Sequence, residues 1–428
     1  MTARASFWSD VRWQAIGNTS AQALGVLGMP LLTRLYTPAD FAAQSVFLQF
    51  AMFFSGLMTW RYEYFVQLPR RDSDALALLR LTLLLAVAGC VLLTPLTWLS
   101  APLLSMDPGQ THWLWLSPMT AALISLSLAH QHWTQRKGLF KLSGMGEVLA
   151  KLAYIGTGVL ATLCGLATLG LIATIAAGAA AKLVLHLLAG RADRHIAAKA
   201  GGASSAIQAA RTHARHAGSM FGSHLLGTVT GLVTILFIGQ FYGSIDLGQY
   251  SLVAATIFLP AGLIGSAIGQ VYYQRAAALW SRGESFAPLW RQTFARLSAI
   301  GVLAYALIAL LSPWAYPFIF GDAWEAAGRY AVWMSIAAFF SFVSAPMDRS
   351  SLVVGRLHYL PIWHAARALT TLCALALAWR CALSFDAFMA LHAAQMSVLY
   401  VVDLLAERSF ARLCPPDMAL SPVALAAQ

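Results

Sequence analysis

Apolar runs of about 20 residues, the length of a transmembrane helix, recur along the whole chain with short polar segments between them. They lack the alternating 10-residue pattern of transmembrane barrel strands, so they predict an all-α integral membrane protein. We expect about 12 transmembrane helices from this pattern. They cover residues 12–34, 42–65, 79–101, 112–132, 147–165, 167–189, 217–241, 247–273, 294–318, 328–347, 360–379 and 386–406.

A short motif that recurs after the first and seventh spans indicates a parallel internal repeat. Tyr36 and Asp40 after the first span match Tyr242 and Asp246 after the seventh, at the same spacing. Such duplications are common in transporters. We therefore expect two six-helix bundles with a linker and a tail: residues 1–190, a basic cytoplasmic linker at 191–216, residues 217–413, and a short cytoplasmic tail at 414–428.

Composition and charge support a membrane protein. Charged residues make up 11% of the chain and hydrophobic residues 59%, whereas soluble domains carry about 25% charged residues. Most of the 28 Lys and Arg residues fall in loops on one side, which predicts cytoplasmic termini by the positive-inside rule. No basic stretch is interleaved with stacking aromatics, so the net charge of +11 does not indicate nucleic-acid binding. Neither a P-loop nor metal-ligand spacing occurs.

Three segments resemble bacterial polysaccharide-repeat flippases, the O-antigen and exopolysaccharide branch of the multidrug, oligosaccharidyl-lipid and polysaccharide exporter superfamily. They are residues 30–41, residues 61–75 beginning Arg61-Tyr62-Glu63, and residues 260–274 beginning at Pro260. The family usually has Gly where this chain has Ala42, a small change in volume. The resemblance implies two six-helix bundles around a central cavity.

The resemblance also implies a function. Such proteins move undecaprenyl-diphosphate-linked oligosaccharide from the cytoplasmic to the periplasmic leaflet by alternating access, for O-antigen, capsule or exopolysaccharide assembly. We expect a bacterial inner-membrane transporter that is not an enzyme and has no cofactor, with H⁺ or Na⁺ as the coupling ion if one is used. Expected partners are the lipid-linked oligosaccharide, the phospholipid bilayer, and a polysaccharide polymerase with other assembly proteins.

Moving a diphosphate needs basic groups inside the membrane, where charges are rare and face the protein interior. Lys182 lies well within a span, and either binds the diphosphate or extends its stem to the interface. His186, one turn on, shares its face. Arg61 can hold a phosphate bidentately or close the inner side as a gate. Arg367 either widens a cationic entrance or reaches the interface.

Acidic residues are candidates for gating or ion coupling. At i and i+2 of a continuous helix, Arg61 and Glu63 would point to different sides, so we expect Glu63 to pair elsewhere or to carry a proton or Na⁺. Asp403 either pairs with Arg408 or binds a coupling cation. Asp40 is a candidate outer-gate partner for Arg34, beside the other roles that stay open for that arginine.

Three further residues complete the predicted substrate-binding set. Arg34, in the first outer loop, either marks an exit site for the diphosphate or anchors the interface. His224 lies on a polar face of the seventh span, and Asn18 lies on a polar face of the first span. These faces suggest that the two spans line water-filled surfaces at equivalent positions of the repeat. Packing of small residues through hydroxyls is the alternative for these two faces.

Two other functions stay open. A drug or small-cation exporter of the same superfamily should show an excess of intramembrane acids, whereas basic residues are at least as prominent here. A membrane oligosaccharide polymerase or ligase usually carries a large outer loop, and every predicted outer loop is short.

Overall fold

The computed structural model describes residues 2–100, 104, 108–190, 203–356 and 358–414. It consists of α-helices and short 3₁₀ turns, and these ranges contain no strand, so the all-α prediction is confirmed. The long helices are α1 (Thr2–Leu35), α2 (Pro38–Thr59), α3 (Asp72–Ser100), α4 (Ser117–Arg136), α5 (Phe140–Leu163), α6 (Ala167–Ala189), α7 (Ala203–Phe241), α8 (Gly243–Ile257), α9 (Leu259–Ser281), α10 (Ala287–Phe320), α11 (Glu325–Ser344), α12 (Tyr359–Arg380) and α13 (Phe385–Ala411).

Nine helical segments in the described ranges are long and apolar enough to cross a membrane. They lie in α2, α3, α5, α6, α7, α10, α11, α12 and α13. The other three predicted spans are helical but more polar, and correspond to α1, α4 and the α8–α9 pair. In α1, Gln14, Asn18 and Gln22 interrupt the apolar sequence. The chain is thus a multi-pass, all-α membrane protein.

The second predicted span ends earlier than its apolar pattern suggests. Helix α2 stops at Thr59, and Trp60 (φ 49°) and Arg61 (φ 62°) adopt left-handed backbone conformations, which are uncommon outside glycine. A 3₁₀ turn follows at Tyr62–Gln67. The prediction of helix through residue 65 is therefore wrong, and the chain turns at Arg61.

Two other predicted boundaries also change. The eighth span, predicted at 247–273, is two helices, because α8 ends at Ile257 and α9 begins at Leu259. Pro260 lies in the first turn of α9, where its missing N–H disrupts no helical hydrogen bond. Helix α7 begins at Ala203, so part of the predicted linker is helical. Linker residues 191–202 and tail residues 415–428 lie outside the described ranges.

The chain divides into two compact units, residues 1–251 with 319–323 and residues 252–318 with 324–428. In the first unit α5 packs on α1 and α6. A Cβ on Gly17 of α1 would lie 2.3 Å from the Gly144 Cα of α5, so glycine at both positions permits this close approach. In the second unit α11 packs on α13, where the Tyr330 and Phe385 rings meet at 4.8 Å. The six-helix grouping at 1–190 and 217–413 stays a prediction.

Candidate functional site

A cluster of basic side chains lies at one end of the first unit, where α2 ends and α4 and α6 pack. The Arg61 guanidinium lies 4.6 Å from the centre of the Tyr64 ring. That ring meets the His132 imidazole edge-on at 5.2 Å. His132 is within electrostatic range of both Arg61 and Lys182. Two of the predicted diphosphate-binding residues therefore flank one histidine, which we had not predicted as part of the site.

The turn after α2 determines where Arg61 points. Its Nη1 donates to the Glu63 carboxylate at 3.3 Å, and Nη2 donates to the Tyr64 hydroxyl at 3.1 Å. The expectation that Arg61 and Glu63 would not neutralise each other is therefore wrong, because it assumed a continuous helix. The left-handed backbone at Arg61 folds its side chain back over the following residues.

Glu63 is fully buried, and its Oε2 has no hydrogen-bond partner in the part of the chain that the structure describes. Burial raises the pKa of Glu63, and the Arg61 guanidinium opposes that increase. A buried carboxylate beside one guanidinium can hold or release a proton as that guanidinium moves. This arrangement is compatible with the predicted gating or coupling role, which stays a prediction.

Lys182 forms an ion pair inside the first unit. Its Nζ donates to Glu147 Oε1 of α5 at 2.6 Å, and the two side chains are 13% and 30% exposed. Gln131 of α4 donates to the same oxygen at 2.8 Å. The ammonium group is thus directed toward α5 and meets a carboxylate instead of extending freely to the interface. A carboxylate in this place can be exchanged for a phosphate of the same charge sign.

His186, one turn beyond Lys182, is a packing residue of the same region. Its Nδ1 lies 3.1 Å from the Thr134 hydroxyl, and the residue is 1% exposed. A Cβ on Gly146 would lie 2.9 Å from its Nε2, so glycine at that position leaves room for the ring. His186 joins α6 to α4 and α5 and thereby helps to position Lys182.

His224 brings α7 to the same region. Its Nε2 lies 3.1 Å from the Met52 carbonyl oxygen, and its ring is in electrostatic range of Arg61. A Cβ on Gly56 would lie 2.1 Å from His224 Cδ2, so α2 and α7 meet this closely because residue 56 is glycine. The structure therefore brings together Arg61, Lys182 and His224 of the predicted set.

The remaining first-unit candidates occupy other positions. Asn18 is exposed on α1 and accepts a hydrogen bond from Gln14 at 3.0 Å. Arg34 is exposed at the end of α1, and its Cγ lies 4.0 Å from the position of a Cβ on Gly321. Because α2 is 22 residues long, its two ends are about 33 Å apart at 1.5 Å per residue. Asp40, at its start, is therefore distant from Arg61.

Asp40 has a structural function that its sequence context explains. Thr37 and Asp40 form a capping box, in which the Thr37 amide and hydroxyl donate to Asp40 Oδ2 at 2.9 and 2.7 Å. The Thr168 hydroxyl donates to Oδ1. Asp246, which matches Asp40 in the sequence repeat, likewise lies in the first turn of a helix, α8. Oδ2 of Asp40 therefore helps to start α2, whereas Oδ1 joins α2 to α6, and a gating role for Asp40 stays a prediction.

Arg367 lies in the second unit, among groups that are incompletely hydrogen-bonded. Its guanidinium lies 5.9 Å from the centre of the Trp363 ring and in electrostatic range of His364 and His392. Its Nε is buried and has no hydrogen-bond partner within the described ranges. The second unit therefore holds a basic group of its own, consistent with the predicted binding role.

Asp403 also lies in the second unit and is 7% exposed. The hydroxyls of Ser344 and Tyr359 donate to its two oxygens, each at 2.6 Å, so Asp403 bonds to these hydroxyls and not to Arg408. The prediction of an Asp403–Arg408 pair is therefore wrong. Binding of a coupling cation at Asp403 stays a prediction.

One turn further along α13, Glu407 is 1% exposed, and neither of its oxygens has a hydrogen-bond partner among the described residues. Asp403 and Asp348 both act on it electrostatically. We did not predict Glu407 as a site residue, although its spacing of four from Asp403 places both on one helix face.

Two other residues were also missed. His132 follows a polar run at the end of a predicted span, and Glu147 begins the next predicted span. The sequence contained one signal for Glu147. It is an acidic residue at the start of one predicted span, and the next predicted span contains a lysine. No group of three or more His, Cys, Asp and Glu residues in the described ranges is arranged to hold a metal ion.

Comparison with known proteins gives a family and a fold. A profile of the family described as polysaccharide biosynthesis protein matches residues 31–329. A search of curated proteins found no matching sequence. The fold is similar to that of an inward-facing multidrug resistance MATE transporter of the MOP superfamily (TM-score 0.67, 14% identity, 93% of this chain and 94% of that one).

Two further structures are similar to this chain over most of its length. One is the lipid II flippase MurJ in an inward closed conformation (TM-score 0.67, 11% identity, coverage 94% and 88%). The other is the Vibrio cholerae MATE transporter VcmN in a bent form (TM-score 0.54, 10% identity, coverage 95% and 97%). The fold is thus that of MATE and MurJ transporters, and because the profile covers more than half of the residues, the chain belongs to the polysaccharide biosynthesis protein family.

Proposed function

We propose that this protein is a flippase that moves undecaprenyl-diphosphate-linked oligosaccharide repeat units from the cytoplasmic to the periplasmic leaflet of the bacterial inner membrane. The observation that carries this proposal is the basic cluster of Arg61, His132 and Lys182 in the first unit. Guanidinium and ammonium groups in a partly buried site are strong phosphate ligands. Membership of a polysaccharide biosynthesis family supports a saccharide-bearing cargo.

Binding would begin with an exchange of anions. Lys182 now contacts Glu147, and Arg61 contacts Glu63, so each basic group already holds one carboxylate. An arriving diphosphate offers more negative charge and more acceptor oxygens than a single carboxylate. It would draw Lys182 and Arg61 away from their partners, and the released carboxylates would then bias the protein toward its other conformation. Alternating access follows if the two conformations differ in which anion these residues bind.

The acids of the second unit are the best candidates for ion coupling. Glu407 is buried with no hydrogen-bond partner within the described ranges, and Asp403 and Asp348 lie in its electrostatic range. Crowded carboxylates favour uptake of a proton or Na⁺, since each cation relieves the repulsion between the remaining charges. We propose that H⁺ or Na⁺ binding at Glu407 and Asp403 drives the cycle.

The same acids favour a second candidate function, the export of a cationic drug. A buried unpaired carboxylate is a natural counter-ion for such a cargo, and the MATE transporters similar to this chain in fold include a multidrug resistance protein. The two functions differ in which cluster binds cargo. A flippase needs Arg61 and Lys182, whereas a drug exporter needs Glu407.

Deletion of the gene in its host provides the first test. We expect complete undecaprenyl-diphosphate-linked repeat units to accumulate on the inner leaflet, as measured by mass spectrometry after treatment with an impermeant glycosidase. Wild-type protein should restore export, and a chain with both Lys182→Ala and Arg61→Ala should not.

Two other results would contradict the flippase proposal. Unchanged glycolipids with greater sensitivity to cationic drugs, rescued by Lys182→Ala but not by Glu407→Gln, would establish the exporter instead. Complete units that reach the outer leaflet but stay unpolymerised would indicate a polymerase or ligase. In proteoliposomes, loss of H⁺ or Na⁺ dependence in Glu407→Gln would test the coupling proposal separately.

The termini are proposed to be cytoplasmic, since most Lys and Arg residues fall on the side that contains them. Attachment of a reporter that is active only in the cytoplasm to each terminus tests this orientation. A polysaccharide polymerase is the proposed protein partner, because flipped units must be joined after they reach the periplasmic leaflet. Co-purification from host membranes tests that association.

A further inference from the structure

A groove of about 440 Å³ lies in the second unit, at the neighbouring ends of α10, α11 and α13. Its walls are mostly apolar and include Phe294 of α10, Phe340 and Val343 of α11, and Leu404 of α13. Pockets of about 300–1,000 Å³ are large enough to hold small organic ligands. The proposed transport cycle uses none of these residues, so the groove requires a separate explanation.

Two guanidinium groups give one end of this groove a positive charge. Arg291 of α10 and Arg408 of α13 both line it, and both are exposed. Neither forms a salt bridge with a residue in the described ranges, and the described lining contains no carboxylate. Basic pockets between transmembrane helices on the cytoplasmic side are typical binding sites for anionic lipid headgroups. The predicted orientation places both arginines on that side.

Trp290 adds a hydrogen-bond donor to the same end. The residue is 6% exposed, and its ring stacks on Phe294 at a centroid distance of 5.0 Å and an angle of 9°. Its indole Nε1 is buried and has no hydrogen-bond partner among the described residues. Buried donors in native proteins are normally satisfied, so this N–H indicates an acceptor atom that the protein itself does not supply.

We propose that the groove binds an anionic phospholipid of the cytoplasmic leaflet, with an acyl chain along the aromatic wall and the phosphate between Arg291 and Arg408. The Trp290 indole would donate to a phosphate or ester oxygen. Charge complementarity selects an anionic headgroup over a zwitterionic one, because two unpaired guanidinium groups face a single headgroup. Such a lipid would join α10 to α13 within the second unit. This proposal is independent of the cargo that the protein transports.

Native mass spectrometry of the full-length protein in detergent tests the lipid-binding proposal. The protein is offered phosphatidylglycerol, which is anionic, and phosphatidylcholine, which is zwitterionic, at equal concentration. Wild type should retain phosphatidylglycerol preferentially. At about 1 kcal/mol per basic residue, Arg291→Gln with Arg408→Gln should weaken that binding about 30-fold. The matched control, Arg282→Gln with Arg412→Gln, removes the same charge from two exposed helix ends outside the groove and should bind as wild type does.

Trp290→Phe gives a second readout if the arginine variant does not fold. It keeps the ring stack but loses the N–H, so phosphatidylglycerol binding should fall about fivefold, the value of one hydrogen bond. Equal retention of both lipids by wild type would overturn the proposal, as would unchanged binding in both groove variants. Displacement of phosphatidylglycerol by equimolar undecaprenyl phosphate would also overturn it, since the groove would then belong to the cargo's polyprenyl chain.

Discussion

Lys182 has two possible functions that a double-mutant comparison can separate. In the structure its ammonium lies 2.6 Å from Glu147, a contact consistent with a plain structural ion pair. If that were its whole function, removal of both charges together would leave transport intact. If Lys182 also binds the cargo diphosphate, transport would fail in Lys182→Gln and would not recover in Lys182→Gln with Glu147→Gln.

The structure sets the expected magnitudes. A hydrogen bond to a charged group contributes about 1.5–3 kcal/mol, so loss of the phosphate contact should slow flipping about 10- to 150-fold. The free energy of unfolding of the Lys182→Gln variant should change less than its flipping rate does. Glu147 is 30% exposed and keeps the hydrogen bond from Gln131 when Lys182 is lost. We therefore expect Lys182→Gln to lower the free energy of unfolding by only about 1 kcal/mol, since solvent screens such pairs.

The assay measures flipping in proteoliposomes that contain a labelled undecaprenyl-diphosphate saccharide, with an impermeant glycosidase as the probe of leaflet. Melting temperature, recorded on the same samples, separates loss of function from loss of fold. Lys141→Gln is the matched control, because Lys141 is an exposed lysine that lies 4.9 Å from the centre of the Trp13 ring. A double variant that flips at the wild-type rate would contradict a role of Lys182 in cargo binding, because Lys182 would then serve only to neutralise Glu147.

Other predictions concern the turn after α2 and its contact with α7. Arg61→Gln leaves the fully buried Glu63 without its counter-charge and should cost about 3 kcal/mol in unfolding free energy, whereas a chain that also carries Glu63→Gln should recover most of that loss, as read from melting temperature. No recovery would show that Arg61 stabilises the turn by other contacts. Because the folded-state pKa of Glu63 is raised, its contribution to stability is present below its ordinary value of 4.5 and is lost as the pH rises through the raised value. Wild type should therefore lose stability relative to Glu63→Gln as pH increases from 4, and parallel melting curves would contradict this. Gly56→Ala places a Cβ 2.1 Å from His224 and should destabilise the protein by about 1–3 kcal/mol, whereas Gly156→Ala, where a Cβ meets nothing within 4 Å, should not destabilise it. Unchanged stability in Gly56→Ala would contradict this prediction, because it would show that the His224 ring moves aside at no cost.

The sequence predicted the class of fold because the bilayer constrains it strongly. Apolar runs of membrane-spanning length can satisfy their backbone groups only as helices, so the pattern was sufficient without any tertiary contact. The apolar pattern placed the start of the second span at residue 42, whereas α2 begins at Pro38, where Thr37, Pro38 and Asp40 form a local helix-starting signal that the sequence contains. Lys182 stood out for a similar reason, because a charge in an apolar run is rare at any position.

The pairing of charges was decided only by tertiary structure. Hydropathy does not show that α2 ends at Thr59, and the left-handed turn there brings Arg61 and Glu63 together where a helical wheel separates them. Glu147 meets Lys182 because α5 and α6 pack side by side, a contact between residues 35 positions apart. Composition and periodicity determine which residues are helical and lipid-facing, since these are local properties. Which carboxylate faces which cation depends on helix packing and on breaks in helices, and those follow from contacts between distant segments.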